Sequence, residues 1–99
     1  MIFAIHALYK ADITERRAAL LSSHREYLGT VSERIAFAGP LLGAAGEPVG
    51  SLMVVDFDDE AHVQAWLAEE PLTQNGLFAQ LDVQLFQNRW VQKAGFPEV

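Results

Sequence analysis

One of the three histidines, His24, occupies a position from which an imidazole could transfer protons. It follows Leu21 by three residues and precedes Leu28 by four, so in a helix it would lie on the apolar side. A carboxylate partner would fix its tautomer for general acid or base chemistry near neutral pH. The alternative is a structural histidine satisfied by a backbone carbonyl, and the position alone leaves both open.

The first carboxylate candidate for a partner is Glu70. It directly precedes Pro71, where a helix must end and the chain turns back toward the sheet. The neighbouring Glu69 better fits a solvated helix end, although the pattern by itself separates the two only weakly. The acidic run Asp58-Asp59-Glu60 instead suits a helix N-terminus, which favours negative charge.

Three further features could hold a substrate. Ser51 opens a strand, and its hydroxyl with a nearby backbone N–H could anchor a substrate oxygen. The Gly39-Pro40 pair would let a ligand approach the backbone closely. Arg16 and Arg17 could bring one cation near an anionic substrate. Each feature also has a structural explanation. Ser51 could mark a loop-to-strand transition, Gly39-Pro40 could shape an edge strand, and the two arginines could lie on a solvated helix face.

The composition excludes several classes of chemistry. The chain has no cysteine, which removes disulfides, thiolate catalysis and zinc-thiolate sites. His6 and His62 lack metal-ligand spacing, and neither nucleotide-binding motifs nor G-x-S-x-G occur, so we expect no metal and no organic cofactor. With a net charge of -6 and no Lys/Arg run, the chain would repel phosphate backbones, so nucleic acid is not an expected partner.

The elements that position these groups follow from apolar periodicity. Residues 2–9 are β-branched and aromatic and predict a first strand. A helix should begin near Ile13, because Asp12 and Glu15 have capping-box spacing, and its apolar stripe extends to Ile35. The remaining predicted elements are an edge or bulged strand at 35–42, a hairpin loop at 43–50, a strand at 51–57, a helix that stops at Glu70-Pro71, a short segment to Gly76 and a last strand at 81–91.

This β-α-β-β-α-β order predicts a ferredoxin-like α+β fold, an antiparallel sheet with both helices on one face. The other face would be bare, with Phe57 and Trp90 expected on it. A second copy is the simplest cover, so we expect a homodimer through the sheet face, of the dimeric α/β barrel type. The sequence predicts one domain over 1–99, with a core of 1–91 and a tail of 92–99.

The chain shows no targeting or membrane signal. The apolar N-terminal stretch lacks a basic region and a cleavage site, and therefore resembles a strand more than a signal peptide. No apolar run approaches the roughly 20 residues of a membrane-spanning helix. We therefore expect no membrane partner and a cytoplasmic location.

A set of short motifs resembles the YCII-related family. They are R-x6-H from Arg17 to His24, A-G-P at 38–40, G-S at 50–51, A-W at 65–66 and E-P-L-x3-G at 70–76, an ordered set that extends over the chain to about residue 86. The resemblance implies a ferredoxin-like dimer whose active-site cleft contains His24 and Glu70 as catalytic residues, with Pro71 beside them as a substrate-binding residue. It also implies small aromatic or lactone-like substrates, dehydrochlorination of a chlorinated hydroquinone being one family activity. The family usually has aspartate at position 70 and often an aromatic at 72, where this chain has Glu70 and Leu72.

Three functional hypotheses follow. The first is a cofactor-free lyase or isomerase in which His24, oriented by Glu70, moves a proton on a small aromatic or enol-forming substrate, while Ser51 and the backbone at Gly39-Pro40 hold its oxygen. The second is a non-catalytic dimeric module that binds a small metabolite in the same cleft. The third is a cofactor-independent oxygenase of the dimeric α/β barrel type.

Overall fold

The structure, a computed structural model, describes residues 1–93 and contains one antiparallel sheet with its helices on one side. The strands lie in the order β2-β3-β1-β4, which confirms the ferredoxin-like α+β prediction. A 3-10 turn at Ser32–Arg34 precedes β2. The elements are β1 (Ile2–Tyr9), α1 (Thr14–Gly29), β2 (Ile35–Leu42), β3 (Pro48–Asp56), α2 (Glu60–Ala68), α3 (Pro71–Gln74) and β4 (Phe78–Leu85).

Side-chain alternation along the strands gives the sheet two different faces. In β1 the residues Phe3, Ile5 and Ala7 are buried, and in β3 their partners Val55, Met53 and Ser51 are buried with them. This face lies under the helices. The residues between them form the opposite face, called here the open face: Ala4, His6 and Leu8 of β1, Leu52 and Val54 of β3, Phe37 and Leu41 of β2, and Gln80, Asp82 and Gln84 of β4.

Two apolar clusters hold the helices on the sheet. The larger joins β1 and β3 to α2, and its members are Phe3, Ile5, Met53, Val55, Phe57, Val63, Trp66 and Leu67. The smaller consists of Ile13, Leu72 and Leu77 and lies at the other end of α1. Because Leu72 and Leu77 are completely buried, this second cluster fixes the short helix α3 and the loop after it.

The structure corrects several predicted boundaries. The helix α1 begins at Thr14 with Ile13 as its N-cap and no side-chain cap, so the capping box predicted from Asp12 and Glu15 is wrong. Asp12 instead adopts the left-handed backbone conformation, with a φ of 59°, in the turn that precedes the helix. The apolar stripe ends with α1 at Gly29, because Ile35 already belongs to β2.

The end of the sheet also differs from the prediction. Strand β3 begins at Pro48, and β4 covers 78–85 rather than 81–91. Phe57 is buried in the larger cluster beside Trp66, and Trp90 lies beyond β4, so neither belongs to the open face. The predicted tail, 92–99, lies outside the described residues from position 94 onward. None of the helices among residues 1–93 is long and apolar enough to cross a membrane.

Candidate active site

A cleft of about 340 Å³ lies between one side of α1 and the edge of the sheet formed by β2 and β3. Its volume is at the lower end of the roughly 300–1,000 Å³ found for small-molecule sites. The cleft opens beside residues of α1 that are only half buried, since α1 contains no fully buried side chain. The lining residues are Tyr9, Arg17, Leu21, His24, Arg25, Leu28, Ala38, Gly39, Pro40 and Ser51.

His24 stands on the cleft wall and is bonded to Glu70. Its Nδ1 makes a hydrogen bond with Oε1 of Glu70, and 15% of the histidine side chain is exposed. The second ring nitrogen, Nε2, has no hydrogen-bond partner within residues 1–93. When the carboxyl group is ionised it can only accept, so Nδ1 carries the ring proton and Nε2 keeps its lone pair. A neutral imidazole in this arrangement can accept a proton at Nε2.

Glu70 is a buried carboxylate that is held at both oxygens. The proline that follows keeps its backbone extended, with φ -68° and ψ 131°, which makes Glu70 the N-cap of α3. Its Oε2 accepts hydrogen bonds from Thr73, from the backbone N–H at 3.1 Å and from the hydroxyl at 3.3 Å. Only 1% of Glu70 is exposed. One carboxylate thus caps a helix and orients the histidine, whereas the adjacent Glu69 is solvent-exposed.

Pro71 lies outside the cleft, at the start of α3. It is the first residue of α3 and does not line the cleft, so its structural effect is to fix the backbone of Glu70. A substrate contact of Pro71 stays a prediction.

Ser51, Gly39 and Pro40 all line the cleft from the sheet side. Pro40 in β2 is paired with Ser51 in β3. Because β2 is an edge strand, the missing N–H of Pro40 costs no hydrogen bond to another strand on its outer side. The residue before Ser51 must be a glycine, because a Cβ on Gly50 would stand 2.1 Å from the carbonyl oxygen of Ala7. The close approach of β1 and β3 therefore fixes where Ser51 meets the cleft.

Of the predicted cations, Arg17 lines the cleft and Arg16 does not. Arg16 donates to the backbone oxygen of Asn75, whereas Arg17 donates through Nε to the hydroxyl oxygen of Tyr9 at 3.0 Å. The sequence interpretation missed Tyr9 and Arg25. Tyr9 has the same strand parity as the buried Phe3, Ile5 and Ala7, a signal that places it on the helix side of the sheet.

The other histidines are elsewhere. His6 is exposed on the open face, and Nδ1 of His62 is bonded to Asp59 at 2.6 Å on the surface at the start of α2. Within residues 1–93 no three His, Asp or Glu side chains come together in a group that could hold a metal ion.

Tyr27 connects the site to the larger apolar cluster. Its hydroxyl donates to the backbone oxygen of Trp66 at 2.6 Å, and the two rings stack with centroids 5.8 Å apart. Burial raises the pKa of the Tyr27 hydroxyl, and the charges of Glu69 and Glu70 raise it further. The phenol thereby joins α1, which carries His24, to α2, which leads to Glu70.

This shift predicts a defined alkaline response. The folded chain keeps the Tyr27 proton above the pKa of an unfolded tyrosine, about 10, so the contribution to stability is complete below that pH and is lost as pH rises through the folded value. Above about pH 10, the free energy of unfolding of the parent should fall more steeply with pH than that of Tyr27→Phe, because the unfolded chain releases the phenol proton before the folded chain does. Urea unfolding followed by circular dichroism at several alkaline pH values measures both slopes, and equal slopes would contradict the assignment.

Fold and site together define a class of protein: a ferredoxin-like α+β domain with a histidine-carboxylate pair in a cleft between its first helix and the sheet edge. The family model of the YCII-related domain matches residues 1–87, and the chain belongs to this family. The resemblance drawn from the sequence motifs is confirmed.

Sequence relatives match most of the length of this chain, and a solved structure shares its fold. Protein YciI of Escherichia coli O6:H1 and protein YciI of Shigella flexneri are each 29% identical over 96 residues, which covers 88% of this chain and 97% of each relative. Among solved structures, 5-chloro-2-hydroxyhydroquinone dehydrochlorinase of Burkholderia phenoliruptrix AC1100, in complex with 2,5-dihydroxybenzoquinone, superposes with a TM-score of 0.86. It is 24% identical and the match covers 90% of this chain and 96% of that one, so this likeness establishes the fold.

Proposed function

We propose that this chain is a cofactor-free enzyme in which His24, oriented by Glu70, transfers a proton on a small aromatic or enol-forming metabolite. A lyase or an isomerase is the reaction class that such a step serves. The observation that carries the proposal is the bond between Nδ1 of His24 and the buried Glu70 carboxylate, with the ring at the wall of the cleft.

The pair suits proton transfer for a physical reason. Nε2 of His24 accepts the substrate proton, and the imidazolium that forms is stabilised by the adjacent carboxylate charge. Glu70 does not move during this step, because Thr73 holds its other oxygen. The proton then returns to another atom of the substrate in an isomerisation, or leaves with a departing group in an elimination.

The sheet side of the cleft would hold the substrate. Ser51 offers a hydroxyl, and Gly39 and Pro40 of β2 line the same side of the cleft. Leu21 and Leu28 give the opposite wall apolar surface for a ring. The pocket thus favours a small ring with an oxygen substituent over a large or extended ligand.

The structural neighbour named for dehydrochlorination supplies a first candidate reaction. Loss of HCl from a chlorinated hydroxyhydroquinone balances as one proton taken from the substrate and one chloride released, so it needs no oxidant or reductant. A base such as His24 would supply the proton step.

The absence of cysteine fits a reducing compartment, and the proposal includes a cytoplasmic location.

The test is turnover of a substrate panel by the purified chain in D2O. The panel contains 5-chloro-2-hydroxyhydroquinone, its unchlorinated analogue and small enolisable lactones, followed by NMR for deuterium incorporation and by chloride release. Catalysed exchange or elimination supports the proposal. Saturable binding with no exchange in any member would favour the non-catalytic module, and consumption of oxygen would favour the oxygenase.

We propose further that the protein works as a homodimer through the open face. Phe37 is 55% exposed there, and half-buried Leu41, Leu52 and Leu8 lie on the same face, so its β2–β3 side carries exposed apolar side chains. A second copy would cover it by an isologous contact, in which the same patch serves both subunits.

Sedimentation velocity tests the dimer directly. The parent is expected to sediment as a dimer and Phe37→Asp as a monomer, because a charge would be buried without a partner. Leu85→Asp is the matched control, since Leu85 is similarly exposed at 54% but lies in register with Phe3 on the helix side. A monomeric parent, or equal effects of both variants, would overturn the dimer proposal.

A further inference from the structure

The cleft is locally cationic in an acidic protein. Arg17 and Arg25 line it, two of the seven Lys and Arg residues of a chain with a net charge of -6, and no Asp or Glu of the described residues is among its lining residues. Within residues 1–93 neither guanidinium is ion-paired. Both project from one side of α1, eight residues apart, with His24 between them. Cations left unpaired at a pocket wall attract a ligand of opposite charge.

The Tyr9 hydroxyl adds a hydrogen-bond donor of fixed orientation beside these two cations. Its ring stacks on Phe78 with centroids 5.3 Å apart and planes 8° apart, which fixes its orientation. Arg17 only donates hydrogen bonds, so the Tyr9 hydroxyl oxygen is the acceptor and its own proton remains available for another acceptor. Since Tyr9 also lines the cleft, that acceptor can be an oxygen of a bound molecule.

We infer that the cleft selects a substrate with an anionic oxygen, a carboxylate or an enolate, and that Arg25 and the Arg17–Tyr9 pair hold this oxygen. The inference rests on the proposed function for its place in catalysis. When His24 removes a proton from carbon, negative charge develops on the conjugated oxygen of the substrate. Fixed donors that already hold the anionic oxygen also stabilise this additional charge in the transition state.

A matched pair of ligands tests the selectivity without any turnover. Benzoate and benzamide have the same ring and nearly the same size, and only benzoate carries a charge. Isothermal titration of the full chain should show benzoate binding about tenfold more tightly than benzamide, the difference expected for one charge-assisted hydrogen bond. Arg25→Gln and Tyr9→Phe should each weaken benzoate binding about threefold to tenfold.

Arg89→Gln is the control, because Arg89 is exposed, contacts Gln87 and lies outside the cleft. Equal affinities for benzoate and benzamide, or a loss in the cleft variants no larger than in Arg89→Gln, would overturn the inference. The result is independent of catalysis. Anion selectivity without proton exchange would refute the enzyme and leave the subsite, whereas exchange without anion selectivity would refute only the subsite.

Discussion

Replacing His24 by glutamine is expected to lower the rate of proton exchange on the reacting member of the substrate panel by about 10²–10⁴-fold, the usual contribution of a positioned general base. A glutamine amide has nearly the reach of an imidazole and can still donate to Oε1 of Glu70. It has no lone pair on nitrogen that could accept a substrate proton. The change therefore removes the chemistry and keeps the hydrogen bond to the carboxylate.

Stability separates the catalytic role from a structural one. Because the Glu70 bond can be kept and the side chain of His24 is partly exposed, the midpoint of thermal unfolding should change by only a few degrees, as expected for about 0.5 kcal/mol in a domain of this size. His62→Gln is the matched control, since His62 also bonds a carboxylate but lies on the surface of α2. Parent-like exchange in His24→Gln, or a large loss of stability, would support a structural histidine.

Local patterns in the sequence were sufficient for the element order. Strand β1 has the predicted bounds, because alternation and β-branched residues agree there with burial. Gly39-Pro40 predicts an edge or a bulged strand, since a proline cannot donate to a central ladder, and β2 both lies at the sheet edge and contains register shifts. In both cases the determining interaction is local, so the sequence carries it.

Side-chain directions at the ends of elements were less predictable. Phe57 follows β3 directly and has the same parity as the buried Met53 and Val55, so alternation along β3 indicates the helix side, where Phe57 packs against Trp66. Placing Phe57 on the open face went against this parity. The extent of β4 was misjudged because Phe86 and Trp90 continue an apolar pattern beyond the last pairing with β1. Ladder hydrogen bonds, which the sequence does not display, decide where a strand stops.

The composition of the cleft required tertiary information. His24 and Glu70 are 46 residues apart, and only the shared motif order linked them before the structure placed them in contact. Arg25 follows His24 on the helix, one position away from the apolar stripe. Its position at the cleft depends on how α1 crosses β2, which periodicity along one helix does not specify.

The second large effect is expected at Glu70. In Glu70→Gln the amide oxygen must face Thr73, because both Thr73 groups are donors, and this turns the amide NH2 toward His24. An NH2 donor opposite Nδ1 favours the tautomer with the proton on Nε2. The base would then present a proton to the substrate instead of a lone pair, and we expect kcat to fall about 10²–10⁴-fold, comparable with other wrong-tautomer substitutions.

Nitrogen chemical shifts of the His24 ring measure the tautomer directly. In Glu70→Gln, Nδ1 should show the shift of an unprotonated nitrogen and Nε2 that of a protonated one, the reverse of the parent. Glu70→Asp is the conservative variant: it keeps the charge and can keep the cap on α3, but its carboxylate is one methylene shorter, so we expect about a tenfold loss of kcat with the parent tautomer retained. Glu70→Ala removes the cap as well, which costs about 0.5–2 kcal/mol of stability. Parent-like turnover in Glu70→Gln with an exchanged tautomer would contradict a base role for His24, because a ring that is protonated at Nε2 cannot accept the substrate proton there.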